Sequence, residues 1–145
     1  MKRVLLDVNV VLDVLLDRRP FAPAASAVWS AVEEGRAVGF LSAHAVTTLH
    51  YLNTRDAGAR AARETTDALL SVFEVAPVDA AVLNAAIRLG WKDFEDAVTA
   101  AAARRARCEA LVTRNPRDFK GSPVRVLTTS EAAAWLHAGI LNAGP

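Results

Sequence analysis

Three aspartates lie in segments where an α/β protein would carry its functional residues. Asp7 directly follows an apolar run, Asp118 lies in a segment that follows another, and Asp96 belongs to an acidic cluster that begins at Asp93. Asp93 and Asp96 are three residues apart, which places both on one face of a helix. Clustered carboxylates repel one another unless a cation neutralises them, and their hard oxygens suit Mg²⁺ or Mn²⁺. Such a site activates water and stabilises phosphoryl charge, so the acids predict metal-assisted phosphoryl chemistry.

Each acid also has an ordinary structural explanation. Asp93 is a good helix N-cap, and Asp96 in the first helical turn suits the helix dipole. Asp118 before Phe119 fits a turn. Asp7 is harder to explain in this way, because a charge at the end of a buried strand is costly without a partner. The presence of acids at separate strand ends favours the chemical role.

Two other classes of phosphate-handling protein lack support in the sequence. No glycine-rich phosphate loop occurs, which argues against a P-loop nucleotide hydrolase. A phosphatase of the haloacid dehalogenase kind would carry a second aspartate two residues after the first. Here the segment reads Asp7-Val8-Asn9, so that class is a distant third.

Apolar runs alternate with helical periodicities along the chain. Short apolar runs predict strands at residues 4–6, 38–41, 72–75, 110–113 and 124–127. Ser42, Asp79 and Asp93 are placed to cap helices, and Thr128-x-x-Glu131 is a capping-box pattern. The alternation predicts an α/β fold with a mainly parallel sheet, and ligands of such sheets bind beyond the carboxyl ends of the strands.

The helix that begins at Asp93 should present its acids beside that edge of the sheet. Phe94 and Ala97 belong to an apolar face that we expect to pack on the sheet, while Glu95 should point away from Asp93 and Asp96. The helix would then be anchored by its core face while its acidic edge overlooks the strand ends.

Composition bounds the remaining possibilities. The chain has 145 residues, of which 52% are hydrophobic and 23% charged, as expected for one folded domain. Its 17 basic and 16 acidic residues give a net charge of +1, which excludes a histone-like polycation. Cys108 is the one cysteine, which excludes an intramolecular disulfide and predicts an inert buried thiol. No apolar stretch approaches the ~18 residues of a membrane span, and we expect a cytoplasmic protein.

Three segments of the chain resemble the PIN domain family. They read VLLDVNV at 4–10, DFEDA at 93–97 and LVTRNPRDF at 111–119, and their order and spacing match over almost the whole chain. The resemblance implies one PIN-like domain over residues 1–145, built as a three-layer α/β sandwich around a five-stranded, mainly parallel sheet. It also implies Mg²⁺- or Mn²⁺-dependent ribonuclease activity. Many relatives are VapC-like toxins that pair with an antitoxin.

The resemblance assigns roles to individual acids. Asp7 is similar to the first acid of the family, Asp96 to the third, and Asp118 to the fourth, so these three are the predicted metal ligands and catalytic residues. Asp93 is a further predicted catalytic acid, acting directly or through water. Family members carry Asp or Asn at the position of Asn115, which we interpret as a neutral neighbour in a supporting role.

Other side chains are expected to support the acids or the substrate. Thr113 resembles the family hydroxyl that hydrogen-bonds within the site, and Asn9 resembles the small polar residue that orients the first acid. Arg114 and Arg117 bracket the last acidic segment, so they are the arginines best placed to contact RNA phosphates.

One feature departs from the family pattern. Relatives usually carry a glutamate on the helix after the second strand, whereas residues 42–51 contain no acid. Thr48 is the best match to that glutamate. Asp93 could supply the lost charge from another helix, or the site could be weakened. A histidine on the same helix, His44 or His50, could instead be a ligand, although packing explains most such histidines.

Two functions remain open at this point. The leading hypothesis is a metal-dependent endoribonuclease, possibly the toxin of a toxin–antitoxin pair; the alternative is a degenerate PIN module that binds RNA or a protein partner without cleaving. Metal-dependent cleavage of RNA separates the two. Predicted partners are an RNA substrate, a cognate antitoxin protein and a second copy of the chain, with Trp29 or Tyr51 as candidate homodimer contacts.

Overall fold

Five strands within the described part of the chain form one parallel sheet. The computed structural model describes residues 1–141, and side chains through residue 138. The strands are β1 (Lys2–Leu6), β2 (Ala37–Ser42), β3 (Glu74–Ala76), β4 (Ala110–Thr113) and β5 (Arg125–Thr128). Their order across the sheet is β3-β2-β1-β4-β5, and every neighbouring pair is parallel. The predicted α/β fold class is confirmed.

Helices cover both faces of the sheet. They are α1 (Val8–Leu15), α2 (Ala22–Glu33), α3 (Ala43–Ala57), α4 (Ala59–Val72), α5 (Ala80–Leu89), α6 (Phe94–Arg105) and α7 (Thr129–Leu141), with a 3₁₀ turn at Pro116–Phe119. Side chains alternate along β1, so that Val4 and Leu6 pack with α1, α2, α3, α4 and α7, while Leu5 packs with α5 and α6. Because both faces are covered, the strands read as continuous apolar runs in the sequence.

The direction of strand order reverses between β1 and β4. The chain moves from β1 to β2 and β3 on one side, then crosses to β4 and β5 on the other. Leu6 pairs with Val112 at the ends of these two strands, and the Asp7 N–H donates to the Val112 carbonyl at 2.9 Å. Asp7 and Thr113 therefore leave the sheet side by side at the switch point, where open α/β sheets bind ligands.

Three predicted helix caps are confirmed. Asp79 Oδ1 accepts the Val82 N–H at 3.0 Å. The capping box of α7 is reciprocal, with the Thr128 N–H donating to Glu131 Oε1 at 2.9 Å and the Glu131 N–H donating to Thr128 Oγ1 at 3.1 Å. The hydrogen bond from the Thr128 N–H, together with the Thr128 side chain, holds the pKa of Glu131 below its usual range. Asp93 caps α6 by accepting the Asp96 N–H.

Ser42 and the third strand differ from prediction. Ser42 occupies the N-cap position of α3, but its hydroxyl is buried and makes no capping bond. The third strand begins at Glu74 rather than at residue 72, because Val72 still belongs to α4 and packs its side chain into the core. Phe73 then leads directly from the helix into the strand.

Helix α6 lies close to the sheet because its buried residues are small. Residues 97–103 are all buried and are alanines apart from Val98 and Thr99. Cys108, which packs in the same core, is buried as predicted, and burial raises the pKa of its thiol to about 12. Within residues 1–141, no helix combines the length and the apolar character needed to span a membrane.

Candidate active site

Asp7 is held at the switch point by hydrogen bonds to both of its carboxylate oxygens. It is the N-cap of α1, and its Oδ1 accepts the Val8 N–H at 2.8 Å. Its Oδ2 accepts the hydroxyl of Thr113 at 2.9 Å. Burial raises the pKa of Asp7, these two hydrogen bonds oppose the rise, and the charges of Glu95 and Asp118 add to it. The side chain is therefore fixed in place while its negative charge remains poorly compensated.

Thr113 connects Asp7 to the segment that carries Asp118. The Thr113 side chain is buried, and its Oγ1 also accepts the Asn115 backbone N–H at 3.1 Å. The Asn115 carbonyl in turn accepts the Asp118 N–H at 3.0 Å within the 3₁₀ turn. Phe119 anchors this turn in the core. Thr113 thus makes the hydrogen bond within the site that was expected of it. Asp118 is exposed on a turn that buried Phe119 holds in place.

Asp96 shows that acids from three parts of the chain share one electrostatic environment. Its pKa is raised from 3.8 to about 7, first by burial and then by the charges of Asp93, Asp7, Asp118 and Glu95. Asp93 also caps α6, because its Oδ1 accepts the Asp96 N–H at 3.1 Å. The charges of Asp93, Asp7 and Asp118 therefore all act on Asp96, and so does the charge of Glu95, whose side chain was expected to point away.

An open cleft of about 710 Å³ adjoins the acids. Its lining residues are Trp91, Lys92, Asp93, Phe94, Asp96, Arg117, Asp118 and Lys120. Acidic side chains therefore share the cleft with three basic ones, which we call the basic rim: Lys92, Arg117 and Lys120. Phe94 is 43% exposed in this cleft, so the prediction that it packs on the sheet is wrong. It is the first residue of α6, ahead of the small buried residues that contact the sheet.

The acids suit a divalent cation chemically, but their side chains do not enclose one. Carboxylate oxygens are the ligands that Mg²⁺ and Mn²⁺ prefer, and a cation would relieve the repulsion that raises the pKa of Asp96. Within the part of the chain that the structure describes, no three His, Cys, Asp or Glu side chains are grouped closely enough to hold a metal ion. A bound cation would therefore have to draw the carboxylates closer together.

Comparison with known proteins settles the family. The PIN domain family model matches residues 3–117, which is most of the sequence. The chain belongs to the PIN domain family. Asp7 and Asp96 lie inside the matched range and Asp118 directly follows it. No curated protein matches this PIN domain.

Solved structures share the fold. A toxin–antitoxin complex from Klebsiella pneumoniae is 25% identical, with a TM-score of 0.66 over 88% of this chain and 98% of that one. VapBC-1 from nontypeable Haemophilus influenzae is 12% identical, with a TM-score of 0.70 over 88% and 98%. Mycobacterium tuberculosis VapC20, described as a Sarcin-Ricin loop cleaving toxin, is 20% identical, with a TM-score of 0.60 over 74% and 86%.

Helix α3 brings a histidine rather than a carboxylate toward the acids of this PIN domain. The Thr48 hydroxyl donates back to the His44 carbonyl of its own helix at 3.1 Å. His44 Nε2 lies 3.3 Å from Thr99 Oγ1 on α6, within the electrostatic reach of Glu95 and Asp7. Burial lowers the pKa of His44, and the nearby charges and a hydrogen bond to the Glu95 backbone oppose that fall. His50 instead meets α4.

Arg114 is engaged away from the cleft. Its Nε lies 3.0 Å from Asp13 Oδ2, and its guanidinium covers the ring of Phe21 at 4.1 Å from the centroid. Asp13 is fully buried and also pairs with Arg18, whose Nε lies 2.9 Å from Asp13 Oδ1. Arg114 is absent from the lining of the cleft, whereas Arg117 belongs to it. The buried Asp13 cluster is a feature that the sequence analysis missed.

Among the residues that the structure describes, the Asn9 side chain makes no hydrogen bond to the Asp7 carboxylate. Its backbone carbonyl accepts a hydrogen bond from Arg18 Nη2 at 3.4 Å, and the hydrogen bonds of the Asp7 carboxylate come from Val8 and Thr113. Thr113 orients Asp7 here, and the orienting role of Asn9 stays a prediction. A supporting role of Asn9 toward a bound substrate stays a prediction.

Proposed function

We propose that this PIN domain is a metal-dependent endoribonuclease that hydrolyses phosphodiester bonds in RNA. The observation that carries the proposal is the shared electrostatic environment of Asp7, Asp96 and Asp118 at the switch point of the sheet. The adjoining cleft has a basic rim, which suits a phosphate-bearing substrate. The description of Mycobacterium tuberculosis VapC20 as a Sarcin-Ricin loop cleaving toxin agrees with a cleavage reaction.

Each acid has a distinct role in the proposal. Asp7, Asp96 and Asp118 would hold Mg²⁺ or Mn²⁺, which when bound supplies an activated water and stabilises charge on the phosphoryl group. Thr113 keeps Asp7 in one orientation through its 2.9 Å hydrogen bond. Asp93 adds negative charge at the start of α6, beside Asp96. Asn115 keeps a supporting role through the Thr113 hydroxyl.

The basic rim is proposed to hold the RNA backbone. Arg117, Lys92 and Lys120 line the cleft, and all three are exposed. Their charges would attract phosphates to the mouth of the acidic site and offset its repulsion of RNA. Arg114 is not assigned this role, since its guanidinium is paired with Asp13.

Cleavage of RNA by the purified chain tests the proposal. We expect cleavage in Mg²⁺ or Mn²⁺, loss of cleavage in excess chelator, and loss in Asp7→Asn at an equal folded fraction. Asp67→Asn, on the exposed side of α4, is the matched control and should cleave as the parent does. If the folded wild-type protein shows no metal-dependent cleavage, the proposal that it is an enzyme is refuted.

One observation favours a binding module as the second candidate. Thr48, the best match to the family glutamate, bonds to its own helix, and residues 43–51 of α3 contain no carboxylate. If this loss removes activity, the chain should bind RNA without cutting it. Thr48→Glu would then confer cleavage on an inactive parent. If the parent cleaves and Asp93→Asn does not, Thr48→Glu in that background should restore part of the metal affinity.

A toxin–antitoxin role belongs to the same proposal. The Klebsiella pneumoniae complex and VapBC-1 are both described as paired assemblies, and they share this fold. We propose a cytoplasmic toxin that is inhibited by a small protein from the adjacent gene. Expression of this chain alone should arrest bacterial growth. Co-expression with the protein from the adjacent gene should restore growth and yield a stable complex of the two proteins. A homodimer is part of the proposal, and sedimentation equilibrium of wild type and Tyr51→Ala would test it.

A further inference from the structure

Phe94 is an exposed aromatic side chain among the residues that line the acidic cleft. It follows Asp93 directly and precedes Asp96 by two residues, and it is 43% exposed. It belongs to neither of the two packed cores that cover the faces of the sheet. The other apolar residues of α6 are buried, so Phe94 is the one whose ring is exposed, and it is exposed in the cleft.

The second aromatic residue of the cleft is held by packing. Trp91 is half-buried, and its ring lies edge-on to buried Phe119, with ring centroids 5.9 Å apart and planes at 80°. Trp91 also packs against the core beneath α6. No such aromatic partner constrains Phe94 among the described residues, and its ring is therefore the surface available to a flat ligand.

Charges around Phe94 favour a nucleic acid as that ligand. Lys92, Arg117 and Lys120 line the same cleft, and all three side chains are exposed. Proteins that bind single-stranded nucleic acid combine a positively charged groove with aromatic rings on which bases stack. A paired base inside a duplex does not expose its face, so a stacking ring selects unpaired nucleotides.

We infer that Phe94 stacks on an unpaired base of the RNA next to the phosphate that meets Asp96 and Asp118, and thereby acts as a specificity-determining residue. The inference rests on the proposed function, because it takes RNA as the occupant of the cleft. Phenylalanine offers a π face without hydrogen-bonding groups, so it selects bases by stacking area rather than by a donor and acceptor pattern. The position should therefore prefer purines, which have the larger face.

Binding of RNA to a cleavage-deficient background tests the inference separately from catalysis. The probe is a fluorescein-labelled single-stranded RNA of about 12 nucleotides with mixed sequence, compared with its duplex, by anisotropy. In the Asp7→Asn background, Phe94→Ala should weaken single-strand binding by about 5- to 100-fold and leave duplex binding unchanged. Phe94→Trp should restore most of the affinity. Ile87→Ala, which removes an exposed apolar side chain outside the cleft, is the matched control.

A scan with single abasic nucleotides locates the stacked base. At one position, loss of the base should weaken binding of the RNA to the Asp7→Asn protein. The same abasic RNA should bind the protein that also carries Phe94→Ala as tightly as the intact RNA does. Equal single-strand affinity of Phe94→Ala and the parent would overturn the stacking role while leaving the nuclease intact. Absence of RNA binding by the parent would overturn both proposals. Loss of antitoxin binding without loss of RNA binding would assign Phe94 to a protein partner and overturn the inference.

Discussion

Replacing Asp96 by asparagine should stabilise the metal-free protein, and the gain should grow with pH. Folding raises the pKa of Asp96 from 3.8 to about 7, through burial and through the charges of Asp93, Asp7 and Asp118. Below the unfolded-state pKa both states keep the proton, and no penalty arises. As pH rises from about 4 to about 7, the unfolded chain ionises first, so the wild type loses stability across that window. Asparagine cannot ionise and escapes this loss.

The magnitude follows from the size of the pKa shift. A rise from 3.8 to about 7 corresponds to about 4 kcal/mol for a group shielded from solvent. Asp96 is only partly buried, and screening by solvent reduces the expected gain to roughly 1–2 kcal/mol at pH 8. For a chain of this size that gain corresponds to roughly 3–6 °C in melting temperature. At about pH 4 the melting temperatures of mutant and wild type should nearly coincide.

Thermal and urea unfolding in chelator at several pH values measure the effect. Asp67→Asn, an exposed acid on α4, serves as the control and should show no pH-dependent gain. Addition of Mg²⁺ should reverse the order, because it stabilises the wild type by binding its folded state and stabilises the mutant less. A stability difference that is the same at pH 4 and pH 8 would refute the electrostatic reasoning and leave a packing effect.

Other substitutions test separate parts of the fold and site. Asp13→Asn should cost about 2–4 kcal/mol in urea denaturation, since two arginines would lose a fully buried carboxylate; a cost under about 1 kcal/mol would contradict this. Gly39→Ala should cost about 1–3 kcal/mol, because the added Cβ would lie 2.7–2.8 Å from the Val32 and Phe73 side chains. Asp93→Asn should keep the cap, with stability within about 0.5 kcal/mol of wild type, yet reduce RNA cleavage; equal rates would leave only a capping role.

The sheet and the positions of the acids are predictable because parallel strands buried on both faces leave continuous apolar runs. Asp7 stands out for the same reason, as a charge that directly follows such a run. The caps at Asp79, Asp93 and Thr128 follow from local chemistry that needs no tertiary information. Local rules therefore locate the elements and the edge of the sheet at which the site lies.

Residues whose role depends on distances between elements are not predictable in this way. Helical periodicity assigns Phe94 to a face but does not show that the packed part of α6 begins beyond it. Asp13 lies in an apolar run, but only the fold reveals that Arg18 and Arg114 meet it there. Glu95 lies off the acidic face of the helix, yet electrostatic interaction extends beyond direct contact, and its charge raises the pKa of Asp96.

Helix α3 contains no glutamate, so the negative charge of the site originates from other parts of the chain. Helix α3 contributes His44, whose pKa is lowered by burial, so its imidazole is neutral at pH 7 and does not offset the acids. Helix α6 contributes Asp93 and Glu95 in addition to Asp96, and both raise the pKa of Asp96. The negative charge therefore exceeds what nearby side chains neutralise. In the proposed function a divalent cation compensates this charge, and the pH-dependent penalty at Asp96 measures the repulsion that the cation would relieve.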